Sequence, residues 1–177
     1  MNNYLKNYFS VYKKLIDNFE YKTIDIFYKK IKKLSKKNKI LIFGNGAGAA
    51  IASHFANDLT NVAKIKTLSF DNSAQITCLA NDFGYENWVQ KTIKYYADKK
   101  DLIIILSASG NSKNMINAAK YCNSKKIDFF SITGFKKNNS LNRLSNLHYW
   151  INSNSYNVIE SLQLIILLSL VDRLTKR

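Results

Sequence analysis

Five aliphatic residues in a row, Leu102-Ile103-Ile104-Ile105-Leu106, run straight into Ser107-Ala108-Ser109-Gly110-Asn111-Ser112. A strand with one face in water alternates apolar and polar side chains. An unbroken β-branched run fits a strand covered on both faces. Such strands belong to parallel sheets, whose crossover helices lie on either side. A second short run, Ile40-Leu41-Ile42-Phe43, leads into Gly44-Asn45-Gly46-Ala47-Gly48 in the same manner. Two strand–loop–helix units of this kind predict an α/β chain whose ligand lies beyond the carboxyl ends of the strands.

The remaining pattern agrees. The first forty residues carry apolar positions at helical spacing twice, Tyr4 to Phe19 and Ile24 to Leu34, with a break at Glu20. The abundance of aromatics there fits packing on a partner as well as on the domain itself. Helices are expected over 49–61, 73–79, 85–97, 113–124 and 155–176, and strands over 65–70, 127–132 and 147–151. Asn81-Asp82-Phe83-Gly84 reads as a polar turn between two of the helices. No repeat or low-complexity linker interrupts this order, so the 177 residues are expected to form one domain. Residues 1–37 would be a helical pair serving oligomerisation, and 38–177 the sheet core.

Composition removes several classes. No proline and only six glycines exclude a collagen-like or proline-rich chain. No apolar stretch approaches the roughly 18 residues of a membrane span, and the amino-terminal residues lack the apolar core of a secretory leader. A cytoplasmic protein is expected. Cys78 and Cys122 are too few for a disulfide framework and read as small buried apolar groups in a reducing compartment. The net charge of +15 comes from 24 lysines against 3 arginines, spread along the whole chain. Arginine is the residue that reads phosphates and bases bidentately. The dispersed lysines therefore fit a solvated surface better than a nucleic-acid face, although their field would help recruit a small anion.

Both loops can carry chemistry. A helix amino terminus presents unpaired N–H groups and partial positive charge. Ser107, Ser109 and Ser112 add hydroxyls around the start of the helix at 113, and Gly110 permits the tight turn. This describes a phosphate cradle, or alternatively an ordinary cap made by Ser112. The first loop is no dinucleotide fingerprint, because its third glycine is misplaced.

Together, Gly44-Asn45-Gly46, His54-Phe55-Ala56, Asn81-Asp82-Phe83-Gly84-Tyr85 and Ser107 through Ser112 resemble the SIS (sugar isomerase) domain family, and within it the phosphoheptose isomerases. The likeness runs over essentially the whole chain. It implies a flavodoxin-like three-layer fold with a five-stranded parallel sheet, and a homo-oligomer, a tetramer in the phosphoheptose isomerases. It also implies a sugar-phosphate site built from more than one chain, with phosphate held by Ser107, Ser109 and Ser112. Asn45, Gly46, Gly48, Asp82, Asn111 and Gln163 are the further substrate-binding candidates. Where the family carries another serine, this chain has Gly48.

The activity implied is aldose–ketose interconversion through an enediol, in the synthesis of bacterial surface carbohydrate. It needs a base for the proton beside a carbonyl and a group that protonates the oxygen. His54 stands at a family histidine, and Asp58 at the catalytic glutamate, four residues on and therefore on one side of a helix. Glu160 matches a family glutamate. The candidate catalytic set is Asp58, Glu160 and His54. The family's zinc would need a glutamine at Ile159 and a histidine at Leu167 as well, so no metal and no other cofactor is expected. A non-catalytic module that binds a phosphosugar or a protein is the alternative. Asp82 reads equally as a turn former, His54 as a hydrogen-bonded core histidine, and His148 as structural.

Overall fold

The computed structural model describes residues 3–176. Met1, Asn2 and Arg177, at the ends of the expected domain, lie outside the described residues. The chain runs α1 (Asn3–Asp17), α2 (Tyr21–Lys32), β1 (Ile40–Gly44), α3 (Ala47–Asn61), β2 (Thr67–Ser69), α4 (Ser73–Phe83) and α5 (Trp88–Tyr96). It continues with β3 (Leu102–Ser107), α6 (Lys113–Lys125), β4 (Asp128–Thr133), α7 (Ser140–Leu144), β5 (His148–Trp150) and α8 (Tyr156–Thr175). The five strands form one parallel sheet in the order β2-β1-β3-β4-β5. The alternation of elements predicts the parallel sheet, and this order is the flavodoxin-like one that the family resemblance implies.

The aliphatic runs explain the layers. Successive residues of a strand point to opposite faces. Ile40, Ile42, Leu102, Ile104 and Leu106 pack with α2, α3 and α8 on one side of the sheet. Leu41, Phe43, Ile103 and Ile105 pack with α4, α5, α6 and α7 on the other. Every residue of β1 and β3 is buried, as an unbroken apolar strand requires. On the first side Phe27 of α2 stacks on Phe130 of β4, with ring centroids 3.8 Å apart.

The helix after β1 therefore lies on one face, and the helix after β3 on the other. β1 and β3 are neighbours, with Gly44 beside Leu106 at their carboxyl ends. A crevice opens where crossovers diverge in this manner. The opposite edge of the sheet is tied by a buried carboxylate. Asp101 accepts from the Lys39 N–H at 2.9 Å and the Asp98 N–H at 2.8 Å, and pairs with Lys39 Nζ at 2.6 Å.

Three local expectations are corrected. Asn81, Asp82 and Phe83 belong to α4, which runs on until Gly84 ends it with φ at 82°. The Asn-Asp pair resembles a turn former, but the left-handed glycine sets the boundary. Cys78 is exposed, because α4 buries only Leu79. Cys122 is buried as expected, and burial pushes its thiol up to about 12. The five-residue α7 was not expected at all. Among the described residues, no helix is long and apolar enough to cross a membrane.

Candidate functional site

A cavity of about 120 Å³ lies over the carboxyl ends of β1 and β3, walled on its third side by α8. It is lined by Asn45 and Gly48 from the first loop, by Leu106, Ser107, Ala108, Ser109 and Ser112 from the second, and by Tyr156, Glu160 and Gln163 from α8. The three α8 residues stand at i, i+4 and i+7, one stripe of a helix. All three serines of the expected cradle therefore meet at one point, at the amino terminus of α6.

The hydroxyls of the cradle bond within their own loop. Ser112 is the N-cap residue of α6 but makes no side-chain cap bond. The alternative reading of Ser112 as an ordinary cap is thereby set aside. Its hydroxyl accepts from Ser107 Oγ, at 3.4 Å. Gly110 takes φ 65°, and a side chain there would collide with Asn139. The Asn111 N–H donates to Ser109 Oγ at 3.2 Å, and the Asn111 side-chain amide donates to the Ser109 carbonyl at 3.1 Å. Asn111 is exposed and shapes the loop from outside; it does not line the cavity.

The first loop is fixed by residues that sequence reasoning missed. Buried Asn114, in the first turn of α6, exchanges two amide bonds with Asn45, at 3.2 and 2.9 Å. Tyr85 donates its hydroxyl to Asn45 Oδ1 at 3.2 Å. These contacts lock the β1 loop to the β3 loop. Asn114 lies two residues beyond Ser112, and the sequence carries no signal that it faces inward. Gln163 is buried, and its Nε2 donates to the Ile132 carbonyl at 2.9 Å, which pins its side chain beneath the cavity. Gly46 starts α3 with φ 55° and is exposed.

Three candidates stand apart. His54 and Asp58 share one side of α3, with Nε2 and Oδ2 3.3 Å apart and side chains 56% and 36% exposed. Neither lines the cavity of its own chain. The core-histidine alternative for His54 is excluded by that exposure. Asp82, near the end of α4, is exposed and bonds to Asn81 and Cys78. His148 is half-buried, with Nδ1 3.2 Å from the Ser145 carbonyl, which fits a structural role.

Comparison with known proteins identifies the architecture. Residues 4–134 match the SIS domain family. The chain belongs to that family. As an SIS domain it is 34% identical over 142 residues to the phosphoheptose isomerase of Aliarcobacter butzleri, covering 76% of this chain and 74% of that protein. It is 38% identical over 111 residues to the phosphoheptose isomerase of Helicobacter pylori strain P12, a match spanning 59% of this chain and 57% of the relative. The solved phosphoheptose isomerase of Francisella tularensis superposes with a TM-score of 0.89, over 99% of this chain and 96% of that one, at 20% identity.

The loop from Ser107 to Ser112 lines the cavity, but the zinc implied by the family resemblance does not fit these residues. Ile159 and Leu167, at the implied glutamine and histidine positions, are fully buried and offer no donor atom. Among the described residues no three His, Cys, Asp or Glu side chains gather as a metal group.

Proposed function

We propose that this SIS domain is a sugar-phosphate isomerase that interconverts an aldose and a ketose phosphate, as a sedoheptulose-7-phosphate isomerase does. The observation that carries the reading is the single cavity in which Ser107, Ser109 and Ser112 face Glu160. Three hydroxyls and the first N–H groups of α6 suit a dianionic phosphate. The phosphate end fills the cavity, and the carbon chain runs outward past Glu160. That carboxylate is the base that takes the proton beside the carbonyl and returns it one carbon over, after an enediol.

The exposed His54–Asp58 pair does not line its own cavity, which supports a site completed by a neighbouring subunit. In that arrangement His54 protonates the sugar oxygen and Asp58 orients it. A cytoplasmic homotetramer acting in surface-carbohydrate synthesis is the setting this reading favours. One observation favours a second reading, a non-catalytic phosphosugar sensor. Leu167 is fully buried where the resemblance implies an imidazole.

Incubation with sedoheptulose 7-phosphate, followed by NMR for the aldose phosphate, decides between them. Turnover is expected, and Glu160→Gln lowers it by roughly 10²- to 10⁴-fold while binding persists. Binding without turnover in the native protein selects the sensor. Absence of binding removes both.

A further inference from the structure

Tyr156 opens α8 and lines the phosphate cavity, yet the residue remains 55% exposed. Its ring is backed on one side by Phe135, with centroids 4.9 Å apart and planes at 57°. Phe135 itself is held in an unusual backbone state, φ 51°, for a bulky residue. Two hydrogen bonds impose it: the Phe135 N–H donates to the Ser153 carbonyl at 2.8 Å, and Trp150 Nε1 donates to the Phe135 carbonyl at 3.1 Å. Local strain of this kind persists only where the surroundings over-determine it, and it clusters at ligand clamps. Here it presents one aromatic ring as the support for another.

The size of the cavity gives that ring its purpose. At about 120 Å³ it is well under the roughly 300 Å³ at which small-molecule sites begin. It accommodates the phosphate end and leaves the sugar carbons at the mouth. Tyr156 is the one aromatic residue of the lining, and it is exposed to solvent beside the polar groups of Asn45, the serines, Glu160 and Gln163. The C–H bonds of a polyol chain carry partial positive charge, and an aromatic face carries partial negative charge.

We propose that Tyr156 is the sugar-gripping wall of this site, stacking on the C–H face of the carbons next to the phosphate and so distinguishing a sugar phosphate from phosphate alone. This rests on the phosphate-cradle reading above and names the specificity element that reading lacks. Tyr156 is a positioning and selectivity residue; proton transfer stays with Glu160.

Calorimetric titration of the full chain with sedoheptulose 7-phosphate and, separately, with inorganic phosphate tests it. Tyr156→Ala weakens the sugar phosphate by about 5- to 10-fold, the scale of one aromatic contact, and leaves inorganic phosphate unchanged. Tyr156→Phe keeps the native sugar-phosphate affinity, because the ring and not the hydroxyl does the gripping. Circular dichroism confirms that each variant is folded. Unchanged sugar-phosphate affinity in Tyr156→Ala overturns the proposal, and so does an equal loss for both ligands, which would mark a structural effect. If the native protein binds neither ligand, it is the cradle reading that fails.

Discussion

At the scale of single residues, the cradle differs by one hydroxyl from the pattern that the family resemblance implies, and the space for it is present. A Cβ built on Gly48 meets only Leu106, its Cβ at 3.7 Å and its carbonyl oxygen at 3.9 Å, which is ordinary contact. Gly48→Ser therefore adds a donor to the cavity wall without moving the backbone. One added hydrogen bond nets about 1 kcal/mol, so phosphate and sugar-phosphate dissociation constants should fall roughly 3- to 10-fold in calorimetry. Unchanged or weaker binding would take the first loop out of the phosphate site. Ser112→Ala runs the other way. Losing an N-cap side chain usually destabilises a helix by about 1 kcal/mol, but this hydroxyl makes no cap bond. Melting temperature should stay put while phosphosugar affinity drops by about 1.5–3 kcal/mol, the range for a bond to a charged group. A fall in melting temperature with binding intact would reassign Ser112 to the cap. The three serines were legible because hydroxyls cluster at a helix start. Asn114 was not, since nothing in a lone asparagine tells whether it faces solvent or a second loop.

At the scale of elements, the sheet is stapled at the edge opposite the site. Burial raises the Asp101 carboxyl, but bonds from the Lys39 side chain and from the Asp98 and Lys39 N–H groups outweigh it and hold the group below the usual aspartate range. A carboxyl lowered in the folded state contributes its full stabilisation above the unfolded value, about 3.9. That contribution drains away as pH falls through the lowered folded value. Asp101→Asn should cost about 3 kcal/mol near neutrality, as for one partner removed from a buried pair. It should also flatten the acid limb of a stability-against-pH curve measured by urea unfolding. An acid limb as steep as the native one would deny Asp101 its part in acid unfolding. The strands joined here were readable, because continuous aliphatic runs leave few alternatives. Ser140–Leu144 was not, since five residues are too few to show a period and α7 depends on Asn139 accepting from the Asn142 N–H at 2.9 Å. The end of α4 was misjudged for a related reason. Asn81 and Asp82 are common in turns, yet an exposed helix accommodates them until a left-handed glycine stops it.

At the scale of the whole molecule, α1 is the element whose placement a single chain explains least. None of its residues is buried. Tyr8, Tyr12 and Leu15 rest against the core, while Tyr4 and Phe9 stand 70% and 63% exposed. A short amphipathic helix gains most of its stability from packing its apolar face. Here Leu5, Phe9 and Ile16 stay exposed among the described residues. The exposed His54–Asp58 pair raises the same need from the side of the chemistry, because it does not face its own cavity. Assembly through α1 would answer the first need, and a site shared between subunits the second. Replacing Tyr4 and Phe9 together with serine should lower the mass measured by sedimentation equilibrium from an oligomer to a single chain, with the circular dichroism of the sheet core retained. If subunits complete each other's sites, turnover should fall with the mass, and sugar-phosphate binding should survive because the serine cradle and Tyr156 lie within one chain. A native protein that sediments as a monomer and still turns over sugar phosphate would confine the reaction to Glu160 and leave His54 and Asp58 as surface residues.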